Sequence, residues 1–273
     1  MTSPSTKGVA APAQADEGIG ATGAGAIAAV LAAAEAAITS YMTAAYGKWL
    51  AEVMAKVLAG FLRFGVAPDP GALWSAVPSW NRIVDGLMER LKQIARAGWI
   101  EAASQLGLDL PWDPDDPMLA DALARTRNLM VRTPDEVYRQ VIEALGKSVA
   151  AGQTVEDQAN AVRRVLDATS TQNWPARART VAVTEVHRAW NFGALAASQR
   201  AQVRLQRILM KRWDSRDDSA VRPGHKRADG QTVPVNQPFI VNMEALMMPG
   251  DPAGSPGNVI NCRCKPLFSR RGS

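Results

Sequence analysis

The spacing of apolar positions divides the chain into a long helical part and a short strand-rich end. From Ala26 to Phe64, an Ala-rich run carries Tyr41, Tyr46, Trp49, Val53, Val57 and Phe61 at spacings of three to five. That spacing makes one apolar helix face, which Gly65 to Gly71, with Pro68 and Pro70, brings to an end. Ser79 to Leu106 repeats the pattern through Ile83, Leu87, Leu91 and Ile94. The Pro- and Asp-rich turn Asp109 to Pro117 interrupts it, and Met118 to Met130 forms a short helix. Thr133-Pro134-Asp135-Glu136 and Thr154-Val155-Glu156-Asp157 each offer an N-cap with an acidic residue three positions on, opening helices to about Ala150 and Ala168. Asn173-Trp174-Pro175 starts a long helix that ends near Val203.

The texture then changes. Leu205 to Trp213 predicts a strand, DSRDDS a polar turn, and Asp229-Gly230 a second turn after a short segment around His225. Val233 to Val235 and Pro238 to Val241 predict short strands, and Val259 to Phe268 an alternating terminal one after a Gly/Pro loop. Helices followed by clustered strands make an α+β protein: one long helix packed on short antiparallel strands, behind a helical region. The expected divisions are a disordered Ala/Gly/Pro-rich arm (1–25), a helical region (26–170), an α+β module (171–268) and a tail (269–273).

Composition narrows the classes. With 273 residues and 47% hydrophobic content, wholesale disorder is excluded and a real core is expected. Two cysteines, Cys262 and Cys264, exclude a disulfide scaffold and suit a reducing compartment. The apolar run Ile27 to Ile38 contains Glu35 and is too short to cross a bilayer, so no membrane partner is expected and the product reads as soluble. No Gly-rich phosphate loop precedes a helix. Residues 204–273 hold twelve Lys/Arg against six Asp/Glu, although the whole chain is only +5. Basic character therefore belongs to the last quarter, which suits an acidic partner surface or nucleic acid as well as a solvated face.

Four strings in order, ARTVAVTEVHRAWNFGA, KRWDSRDDSAVRPGHKRADG, QPFIVNMEALMMPGDP and NVINCRCKPLF, resemble the phage Mu F-type minor head proteins, also called phage head morphogenesis proteins. The resemblance covers about residues 174–268. Its motif positions here are Glu185, Asn191, Trp213, Asp217, Arg222, His225, Asp229, Gly230, Pro249, Gly250, Asp251, Asn261, Cys262, Arg263 and Cys264. It implies a non-enzymatic, low-copy minor capsid protein, assembled in the host cytoplasm and placed in the virion head near the portal. Expected partners are portal or major capsid protein, and packaged DNA through the basic end. The N-terminal helices are expected to dock on a partner and to self-associate.

Three groups of residues invite chemistry. Cys262 and Cys264, two apart on the predicted strand, would point to one face. With His225 they give three zinc ligands where relatives resembling this chain carry a fourth at the position of Arg222; Asp217, Asp218 or Asp229 are the local substitutes. The simpler reading makes them small buried groups beside a hydrogen-bonded histidine, with no cofactor. Asp214, Asp217 and Asp218 sketch a magnesium site, and the alternative function is a metal-dependent nuclease or hydrolase centred on Asp217, Asp218, His225, Cys262 and Cys264, but Arg216, Arg222 and Arg227 among them favour internal ion pairs. Glu185 and His187, two apart on a helix, point away from each other, so Glu185 is expected to meet Arg188, Arg212 or the strand-rich end, and Asn191 a loop backbone. Trp190 and Trp213 suit base stacking, though burial between elements explains them more simply; Trp49, Trp74, Trp80, Trp99 and Trp112 read as core or partner contacts.

Overall fold

A computed structural model describes residues 24–64, 79–169, 174–216 and 218–270. Most of the predicted arm, the Pro68/Pro70 break, Trp74, Asn173, Asp217 and the end of the tail lie outside them, as do the side chains of Val57, Phe61 and residues 133–136. The elements, in order, are α1 (Ala24–Phe64), α2 (Ser79–Gln105), α3 (Pro117–Val131), α4 (Thr133–Ala150), α5 (Val155–Ala168) and α6 (Trp174–Leu205). There follow β1 (Leu209–Asp214), α7 (Pro223–Ala228), β2 (Thr232–Pro234), β3 (Phe239–Val241), β4 (Glu244–Leu246), α8 (Pro256–Val259) and β5 (Lys265–Arg270). The α+β arrangement stands.

Local chemistry sets the helix ends. Asp116 caps α3 by accepting from the N–H groups of Met118 and Leu119, with Pro117 in the first turn. Thr154 and Asp157 close a reciprocal capping box on α5. Helix α1 buries Ile38, Met42, Tyr46, Trp49 and Val53. Tyr46 stacks on Trp174 of α6 at 3.6 Å, and Trp80 of α2 meets both rings edge-on. The indole N–H groups of Trp174 and Trp80 reach the carbonyls of Met42 and Met130, so the aromatic box has no polar cost there. By length and composition Gly25–Lys56 suffices to cross a membrane, more than the twelve-residue run suggested. Most of its large side chains nevertheless face this core, and much of its outer surface is alanine.

Helix α6 is the axis of the molecule. It packs along α2 on one side and α1 on another, and its second half carries the strand-rich end. There β2, β1 and β5 form an antiparallel sheet in that order, and β3 and β4 a separate hairpin. The sheet sits on Trp99, Leu106, Ala194, Leu195 and Ala197 through Leu209 and Phe268. Trp213, Phe239, Val241, Leu246, Cys262 and Cys264 form a second small core beneath it.

Three sequence expectations need correction. Helix α6 runs through Leu205 and ends at Gln206 with φ 50°, so the strand begins at Leu209. The terminal segment is not one strand. It is the short α8, a left-handed Asn261 (φ 56°), an irregular stretch through Cys264, and only then β5. Cys262 and Cys264 are therefore brought together by a turn, not by strand alternation. Strand β4, formed by Glu244-Ala245-Leu246, carries no strand signal in the sequence because neither Glu nor Ala favours strands. The tight Asn242-Met243 turn, with φ of 51° and 65°, pairs it with β3.

Candidate functional site

A layer of buried polar side chains lies along α6 where the strand-rich end covers it. Glu185 accepts from Arg188 Nη1 at 2.7 Å and from Thr126 Oγ1 of α3 at 3.0 Å. Arg188 also donates through Nε to the carbonyl of Gly250 at 3.1 Å, so the pair is hydrogen-bonded as well as neutralised. One turn on, Asn191 Nδ2 donates to the carbonyls of Pro249 (2.9 Å) and Cys264 (3.0 Å). Thr184 Oγ1 accepts from the Asn261 N–H, holding the left-handed turn. All four α6 residues are buried. His187, on another face, places Nε2 2.8 Å from Glu35 Oε1 and so ties α6 to α1; this contact holds the Glu35 carboxyl below its usual range.

The motif residues beyond α6 also serve backbone groups. Asp251 accepts from the N–H groups of Met247 and Ala253, shaping the Pro249-Gly250-Asp251 turn, where Gly250 has φ 77°. Asp229 accepts from the Ser215 N–H at 2.7 Å, and Gly230 (φ 75°) donates to the carbonyl of Trp213. Arg222 reaches the carbonyl of Ile260. Arg263 pairs with Asp218 at 2.8 Å, and Arg216 stands 3.5 Å from the same carboxylate. Lys265 and Arg212 flank Asp214. Much of the basic excess thus lies in internal contacts. Lys211 is fully buried, donates to the Met247 carbonyl at 2.6 Å and lies over the Phe239 ring. Burial pushes its pKa down to about 8, with the nearby Asp251 charge opposing.

His225, Cys262 and Cys264 converge, all buried, with their ligand atoms within 4.8 Å of one another. His225 Nδ1 lies 3.4 Å from Cys264 Sγ and 3.7 Å from Cys262 Sγ. The neighbouring Cys264 thiol and His225 favour loss of the Cys262 proton, and the proximity of Cys262 together with burial holds the Cys264 proton more tightly. His225 Nε2 is buried without a hydrogen-bond partner among the described residues. Asp218, engaged by the two arginines, does not join the cluster, and Asp217 lies outside the described residues. Trp213 is fully buried against His225 and Phe239, and Trp190 is 4% exposed, so neither presents a face for base stacking.

Sequence reasoning missed Thr126, Lys211 and the pair His187–Glu35, because each partner lies far away in the chain. It also passed over Gly98 and Gly193, whose signal was present as glycines inside otherwise strong helical patterns.

Comparison with known proteins adds the following. Residues 139–267 match the model of the family described as Phage Mu protein F like protein. The match begins about thirty-five residues before the resemblance seen in the motifs. Minor head protein GP7 of Bacillus phage SPP1 is 24% identical over 139 residues, which is 49% of this chain and 41% of that protein. The chain thus aligns with well under half of that relative's length. No solved structure matches the chain.

Proposed function

From the match of residues 139–267 to the Phage Mu protein F like family, we propose that the chain is a minor head protein of a tailed phage. In this reading it is a low-copy, non-enzymatic component at the portal or head interior, acting in head assembly or in DNA packaging and delivery. The matched segment carries the reading, together with the name of its relative, minor head protein GP7. The geometry supports an architectural role. Asn191, Arg188, Thr184, Asp229 and Asp251 are each engaged with backbone groups of neighbouring loops. Polar side chains committed in this way hold a shape.

Docking would then fall to helix faces of the N-terminal body, with exposed cations of the strand-rich end meeting acidic protein surface or DNA phosphate. The test is quantitative mass spectrometry of purified heads from wild-type phage and from a phage with this gene deleted, with affinity capture of portal and major capsid protein by the full chain. The expected result is a copy number far below that of the major capsid protein, co-capture with portal, and non-infectious or misassembled particles from the deletion. Absence of the chain from purified heads, or full infectivity without it, would overturn the proposal.

A further inference from the structure

We propose that His225, Cys262 and Cys264 form a zinc site with three protein ligands and a fourth place for a single water-sized ligand. The first support is geometric. Zinc bonds of ~2.1 Å to nitrogen and ~2.3 Å to sulfur give tetrahedral edges of about 3.6–3.8 Å. The observed Nδ1–Sγ separations are 3.4 and 3.7 Å. Ordinary core packing does not require both sulfurs to meet the same ring nitrogen.

The second support is the way the chain reaches this arrangement. The cysteines are not on a regular strand, where alternation alone would align them. The left-handed Asn261, held by Thr184, and the hydrogen bond from Asn191 to the Cys264 carbonyl aim both thiols at α7. Helix α7 in turn directs the Nδ1 edge of His225 at both sulfurs, the edge through which a neutral imidazole can ligate a metal.

The third support is space and charge. A cavity of about 20 Å³ beside the three ligands is bounded by Arg216, Arg222, Asn261 and Arg263. It has room for a water molecule and for nothing much larger. No fourth His, Cys, Asp or Glu joins the three among the described residues. Two thiolates and a neutral imidazole cancel the charge of a divalent zinc ion, and the surrounding arginines favour an anionic or strongly dipolar fourth ligand such as hydroxide or water. An ion held there would staple α7 to the loop between α8 and β5. The inference stands apart from the head-protein reading, since it concerns only how this end of the chain is held.

The test uses the full-length wild-type chain, so it does not depend on a variant folding. The protein is equilibrated with zinc, freed of loose ion by gel filtration and analysed for metal, and a parallel sample is loaded with cobalt(II). The expected result is one ion per chain, released by an organomercurial as two thiols react. The cobalt form should show thiolate-to-metal charge transfer with tetrahedral ligand-field absorption. Cys262→Ser/Cys264→Ser should lose the ion. Substoichiometric metal in folded wild type, an octahedral cobalt spectrum, or metal retained by the double variant would each overturn the site.

Discussion

Gly98 of α2 and Gly193 of α6 lie at a reciprocal backbone crossing. A Cβ on Gly98 would stand 2.1 Å from the Trp190 carbonyl oxygen, and one on Gly193 would stand 1.9 Å from that of Ala95. Each glycine thus lets its helix rest on the carbonyl of the other, and neither contact yields, because both obstacles are backbone. Gly98→Ala or Gly193→Ala should cost about 3 kcal/mol or more, since overpacking here must separate two helices. Gly146→Ala in α4, where nothing lies within 4 Å, should instead stabilise by about 0.5–1 kcal/mol. Urea denaturation of the three variants checks both signs at once.

Removing the charge of Glu185 leaves Arg188 buried without its counter-ion. Glu185→Gln is expected to destabilise by about 3–5 kcal/mol, whereas Glu185→Gln/Arg188→Met should recover a large part of that loss. A double-mutant cycle in thermal unfolding measures the coupling. Additive effects would mean that the pair does not act as a unit.

Asn191 joins the α6 axis to two loops at once. Asn191→Leu removes both hydrogen bonds and strands the carbonyls of Pro249 and Cys264, at a cost of about 2–4 kcal/mol. Hydrogen exchange should accelerate first in residues 244–264 and leave α1 and α2 protected. Uniform acceleration across the chain would contradict the local role.

Lys211 makes stability depend on pH in a known direction. Its pKa falls from 10.5 in the unfolded chain to about 8 in the fold, so between those values the unfolded state binds more protons. The penalty for burying the charge is fully present below pH 8 and is relieved as pH rises toward 10.5. The full relief is on the order of 3 kcal/mol. Urea midpoints at pH 7, 8 and 9 should rise for wild type relative to Lys211→Met, and parallel curves would refute the shift.

The helices were legible because their signals are local. Thr154 and Asp157 sit within one turn, and the stripe from Tyr41 to Val53 repeats at helical period. The terminal strand was misread because Val259-Ile-Asn-Cys-Arg-Cys alternates as a strand does, while the left-handed Asn261 and its bond to Thr184, 77 residues away, turn the chain there. The candidate ligands were legible as residue types. Their convergence was not, since it depends on α7 and on the loop tied to Asn191. Thr126 lies 59 residues from Glu185, and no periodicity connects them.

The crossing at Gly98 and Gly193 separates ancestry from foldability. The family match begins at residue 139 and so leaves out α2, yet α2 is the helix against which α6 is most closely seated. A fragment cut at the edge of the homologous region would expose the groove left by Trp99, Ala102 and Leu106 and would have nothing to fill it. Exchanging this end between relatives therefore means exchanging a surface on a preceding helix as well. In this chain the matched segment is smaller than the packed unit that contains it.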